Sequence, residues 1–238
     1  MIVVGYVLVE GCSRTAWMHS SVPDTVYTPT ECVCTLHPSS LSLTENKAAY
    51  LENLRLSASA KEGFQAHVDK LFDASLWGAD GVFSEYEPAL GFWRKWFRNH
   101  PNVRLLELSL PVDLLPSFLE AVAPPVENAM LNGKYLAAQK AAAPLNNATI
   151  VGFEVWGVQA WGDMHTSVCY GVRDEFTRDL GAVFNESGLL PTLELAERAA
   201  DSNNNAEGGS VGDSDWFPIR MAKVLPDASS PSPRTVLS

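Results

Sequence analysis

Two distant stretches of the chain read almost as copies of one another, and any fold must accommodate both. Val3-Val4-Gly5-Tyr6-Val7-Leu8 leads to Met18-His19-Ser20-Ser21-Val22, and Ile150-Val151-Gly152-Phe153-Glu154-Val155 leads to Met164-His165-Thr166-Ser167-Val168. With one residue deleted in the second copy they align from strand to histidine. This is the pattern of a duplicated half-domain, or of two histidines set alike beside one site.

The segments around these stretches predict the rest of the architecture. Residues 2–9 and 25–36, rich in Val, Tyr, Thr and Cys and bounded by Gly11 and Pro38, read as two antiparallel strands. Ser42, Ser59 and Ser84 each precede a Glu by three residues, at Glu45, Glu62 and Glu87, the reciprocal arrangement that satisfies free amides at a helix start. Apolar stripes at helical spacing follow, with Ala48, Leu51 and Leu54, then Phe64, Val68, Leu71 and Phe72, then Tyr86, Leu90, Trp93 and Phe97. Residues 102–110 alternate as a strand, Asp113 caps a short helix with Pro116 in its first turn, and residues 126–142 read as helical. Residues 149–158 form a central strand, Val168, Val172, Phe176 and Leu180 mark one face of the helix after it, and another helix covers 191–200.

Asn203, Asn204, Asn205, Gly208 and Gly209 make 201–215 a flexible acidic loop, because such residues bury too little surface to offset the entropy of ordering them. Strand character returns over 216–225, so the loop is an insertion within one domain formed by 1–200 and 216–225, and 226–238 has the composition of a disordered tail. The order of elements predicts a single α+β domain with an antiparallel or mixed sheet flanked by helices, carrying at most a weak internal duplication.

Composition narrows the function classes. The 238 residues carry 46% hydrophobic side chains, enough for one sizeable core. Seventeen basic residues against twenty-eight acidic ones give a formal charge of -11, which repels phosphate backbones and anionic lipid and favours a basic partner. The sequence therefore points away from nucleic acid and membrane. The apolar start at Ile2 has no basic residue before it and meets Glu10 at once, unlike a signal peptide, so a cytoplasmic protein is expected. Its four cysteines, Cys12, Cys32, Cys34 and Cys169, then read as thiols rather than a disulfide framework.

Three groups of residues could carry chemistry. His165 and Cys169 stand four apart on the expected helix, as a catalytic pair or two metal ligands. Cys32, Cys34 and His37 could supply three of zinc's four ligands, and zinc is the one cofactor the residues suggest. Third, His19-Ser20-Ser21 and His165-Thr166-Ser167 each place a hydroxyl residue two positions after a histidine. This resembles the paired motif of the two-histidine phosphoesterases. The resemblance implies that His19 and His165 face each other across a cleft between two lobes, one as base and one as acid on a phosphodiester. That family sets its motif in a strand with an apolar residue after each histidine, whereas Ser20 and Thr166 are polar and the second motif is expected to open a helix. A fourth stretch, Trp93 to His100, interleaves aromatic and basic residues, and on a helix its Arg94, Lys95 and Arg98 form a solvated face.

No catalytic motif of high specificity appears, so the sequence favours a non-enzymatic binding role. Its acidic, single-domain character is like that of the immunity-type inhibitors that occlude a basic toxin or nuclease. The expected contact residues are Trp161, Asp163, Asp174, Glu175 and Asp179. The alternative is a hydrolase built on His19, His165 and Cys169 or on the Cys/His metal group.

Overall fold

The computed structural model describes residues 1–10, 12–13, 25–26, 57–77, 82–99, 103–122, 142–159, 164–167, 172–206 and 213–224. The expected helix after Ser42, most of the strand expected over 25–36, the tail and the helix expected over 126–142 lie outside them, except Ala142, which forms a β-bridge with Val3 instead of a helix end.

The chain forms one α+β domain around a six-stranded sheet. Its strands are β1 (Ile2–Glu10), β4 (Val82–Phe83), β5 (Val103–Leu110), β6 (Ala148–Gln159), β7 (Met164–Thr166) and β8 (Ser214–Val224). They stand in the order β4-β1-β5-β8-β6-β7, and every pairing is antiparallel. A separate ribbon pairs β2 (Cys12–Ser13) with β3 (Thr25–Val26). The edge strands β4 and β7 are the shortest of the sheet, which limits the backbone left open to another chain.

The strands are apolar on both faces, and side chains alternate between those faces along each strand. Val7, Val9, Leu106, Leu108, Trp156, Val158, Ile219 and Met221 build one core. On the opposite face Val3, Tyr6, Val103 and Leu105 join a second core, and Phe153, Val155 and Trp216 a third. Helix α3 (Leu115–Val122) covers the first face through Phe118 and Val122. Helices α1 (Ala58–Asp73) and α2 (Tyr86–Trp96) cover the second core, and α4 (Arg173–Leu180) and α5 (Leu193–Asn204) the third.

Helix starts differ in detail from the Ser-x-x-Glu expectation. The hydroxyl of Ser57, not Ser59, accepts from the Ala60 amide at the start of α1. Ser84 donates its hydroxyl to the Ser75 carbonyl, and Glu85 stands at the N-cap of α2 without a side-chain bond. The helices still form where expected, because their apolar stripes are buried: Phe64 packs among Phe92, Trp96 and Phe97, and Trp77 stacks on Phe83.

Two larger differences concern the second half. Met164, His165 and Thr166 form strand β7 opposite Val158, Gly157 and Trp156, so His165 does not open a helix. The hairpin with β6 gives these residues a backbone partner that local spacing does not reveal. Helix α5 runs through Asn204 and β8 begins at Ser214, which shortens the expected 201–215 loop at both ends. Asn204 is the cause. Its amide donates to the Trp216 carbonyl at 3.0 Å and its Oδ1 accepts from the Trp216 amide at 2.7 Å, tying the helix end to the strand.

At the centre of the sheet Glu107 binds Arg220 at 2.7 Å and also accepts from the Leu145 amide at 2.7 Å. Tyr6 lies opposite Glu107, and its hydroxyl is pushed well above its ordinary pKa by burial and then by the Glu107 charge.

His67 on α1 accepts a hydrogen bond at Nδ1 from the Trp96 indole at 3.0 Å and packs on Phe92. Burial, then the charges of Lys95 and Lys70, lower its pKa. The unfolded chain therefore takes up the proton first as pH falls below the ordinary histidine value of ~6.5. Stability from this contact is present above that value and drains away as pH falls through it toward the lower folded value. The thermal midpoint of His67→Gln should fall less between pH 7 and pH 5 than that of the wild type, and equal slopes would remove His67 as the source.

Candidate functional site

Several residues singled out by the sequence lie outside the described residues: His19, Cys32, Cys34, His37, Trp161, Asp163 and Cys169. His165 is half-buried in β7, Asp174 is half-buried, and Glu175 and Asp179 are exposed on α4. The exposed Asp179 pairs with its neighbour Arg178 at 2.7 Å, which lowers the pKa of its carboxyl. Among the described residues no three His, Cys, Asp or Glu side chains converge as a metal site.

What the structure gathers around the second echo stretch is a sealed polar cluster. Glu154 on β6 accepts from the Ser167 hydroxyl, from its neighbour Val155's amide and from the Arg173 guanidinium at the start of α4. Arg173 also donates through Nε to Ser167 at 3.0 Å and through Nη1 to the Gly188 carbonyl, while the Phe184 ring lies 4.9 Å from its guanidinium carbon. The side chains of Arg173 and Glu154 are 4% and 2% exposed. Buried charges of this kind are tolerated only when paired and hydrogen-bonded. Ser167 is the second hydroxyl residue of the echo, and it holds a carboxylate in place where no substrate reaches it. Val7 occupies the aligned position in the first stretch, so the polar cluster is absent there.

Removing Arg173 alone leaves a buried unpaired carboxylate. Arg173→Met should therefore cost ~3–5 kcal/mol in urea unfolding, while Arg173→Met combined with Glu154→Leu should recover most of it. A single variant within ~1 kcal/mol of wild type would show the pair to be dispensable.

Among the described residues one open feature of the surface is an acidic cleft of about 820 Å³. It lies where α3, over one face of the sheet, meets α5, over the other, around the first residues of β8. Asp113 comes from the 3-10 turn Val112–Leu114, Glu120 from α3, Glu197 and Asp201 from α5, and Asp215 from β8. All five carboxylates are exposed, and among the described residues no Lys, Arg or His stands in the lining. Trp216, Phe217 and Pro218 supply apolar wall, and Phe118 meets Phe217 edge-on at 5.3 Å, fixing α3 against the strand. With the Debye length ~8 Å at physiological salt, like charges around such a cleft repel one another and raise the local potential for a cation.

Local spacing marks Asp113 as a helix cap and Asp201 and Asp215 as loop residues, and assigns Glu120 and Glu197 no role. The only signal in the sequence is the excess of acid itself, since the five residues converge from four separate elements. Compared with protein-family models, with curated proteins and with solved structures, the chain matches none.

Proposed function

We propose that this is a non-enzymatic, cytoplasmic binding protein whose acidic cleft receives a cationic surface of a protein partner, in the manner of an immunity-type inhibitor. The observation that carries the reading is the convergence of Asp113, Glu120, Glu197, Asp201 and Asp215 on one cleft with no compensating cation among its described lining residues. A Lys- or Arg-rich segment entering there relieves the repulsion among the carboxylates, and the chain's net charge of -11 steers it in. Val112 and Leu119, exposed beside Asp113 and Glu120, offer apolar contact at the rim.

The test separates the cleft from the overall charge. Binding of an oligolysine peptide is measured for wild type, for Glu197→Gln with Asp201→Asn, and for a control of equal charge, Glu62→Gln with Asp73→Asn on α1. The cleft pair should weaken binding about tenfold, worth ~1.4 kcal/mol, with a shallower salt dependence, and the control should change it far less. Equal losses in both would leave only nonspecific attraction and overturn the reading.

One observation favours the hydrolase alternative: His165 lies in a strand, where the two-histidine resemblance expects its motif. That reading expects wild-type protein to open a cyclic nucleotide phosphodiester and His165→Ala or His19→Ala to lose the activity. Activity that survives both substitutions would end it.

A further inference from the structure

We infer that the chain contains two copies of one unit, residues 2–110 and 148–224, in each of which two long outer strands enclose a pair of helices with a strand or bridge between them, related by a pseudo-twofold axis through the Leu108–Met221 pair. The sheet order shows the first sign, since β1 and β5 in one half stand to each other as β6 and β8 do in the other. The registers make the relation specific. The β1–β5 ladder shifts between Val3 and Gly5, and the β6–β8 ladder shifts between Ile150 and Gly152. Gly5 and Gly152 both hold positive φ, 157° and 149°, a backbone state that an L side chain rarely adopts. At Gly152 an added Cβ would also meet Leu189 Cβ at 2.6 Å.

Placing Val3 on Ile150 then carries Ser109 onto Ala222, Leu108 onto Met221 and Glu107 onto Arg220. Leu108 and Met221 pair directly with each other, so the axis passes between them. The outer side of each unit agrees. Tyr6 pairs with Phe83, and its counterpart Phe153 bridges to Leu190. The interval from Phe83 to the start of α2 at Tyr86 equals that from Leu190 to the start of α5 at Leu193. Along those helices Ala89 and Phe92 are buried, and so are their counterparts Ala196 and Ala199. A chance likeness between two apolar strands would not also reproduce the bulge, the glycine conformation, the bridge and the helix register.

The Glu107–Arg220 pair adds a physical argument. Equivalent residues meet across a twofold axis, so two identical units would set Glu against Glu or Arg against Arg. Covalent joining of the units frees the two positions to differ, and opposite charges become possible. Divergence is visible elsewhere: Glu154 corresponds to Val7, and the cleft residues Glu197 and Asp201 correspond to Leu90 and Arg94. The sealed cluster thus belongs to the second unit alone, and the acidic cleft lies between that unit and the connecting segment that carries Asp113 and Glu120.

Circular permutants of the full chain test this. One opens between residues 130 and 131 and joins Ser238 to Met1 through a Gly/Ser linker that makes the 224-to-2 connection as long as the 110-to-148 one. The other opens inside the first unit, between residues 79 and 80, with the same linker. Equivalent units exchange places without changing a contact, so the first permutant should keep the wild-type near-ultraviolet dichroism and a urea midpoint within about a tenth of wild type, while the second loses most of both. A between-unit permutant no more stable than the within-unit one, whether both fold or both fail, overturns the inference.

Discussion

The pairing of β5 with β8 is the interaction on which the rest of the structure depends. These strands are distant in sequence, each already holds its own antiparallel partner, and their junction converts two three-stranded halves into one sheet. Leu108 and Met221, fully buried or nearly so, lie at the centre of one face, and Glu107 and Arg220 join the strands on the other. Such a seam is stabilised by burial that neither half offers alone, and the ion pair ties its register because a slip of one residue would put Glu107 and Arg220 on opposite faces and leave a buried charge unpaired. The cores on either side are then free to form locally, each beneath its own pair of helices.

Charge is used in two opposite ways. Glu154, Arg173 and Ser167 compensate one another almost completely in the interior, which makes the group inert and positions β6, the residues after β7 and the start of α4. The carboxylates of the cleft are exposed and meet no cation among its described lining residues, so their mutual repulsion is left unrelieved. The same residue type is therefore neutralised in the interior and left charged toward solvent at the cleft, according to whether a cation of the chain stands against it.

Elements with strong local signals were legible in advance. Val103–Leu110 and Ala148–Gln159 were expected as strands from apolar runs bounded by turn residues, and Phe64, Val68 and Leu71 announced the buried stripe of α1. Signals that depended on a partner misled. Ser84 has the spacing of a cap, yet its hydroxyl bonds the Ser75 carbonyl, and His165 has the spacing of a helix start, yet it pairs in a hairpin. The end of α5 was placed too early because Asn203 and Asn204 are poor helix residues by propensity, and the bonds from Asn204 to Trp216 outweigh that preference.

The sequence by itself determined the α+β class, the acidic balance, the main helices and strands, and the existence of an echo between Val3–Leu8 and Ile150–Val155. These follow from periodicity, composition and identity along the chain, which are local properties. Only the tertiary structure decided that Gly5 and Gly152 occupy matching bulges, and which carboxylates converge on a cleft. Those outcomes rest on the β5–β8 register and on helix packing over opposite faces of one sheet. Contacts between residues far apart in the chain leave no periodic trace in it.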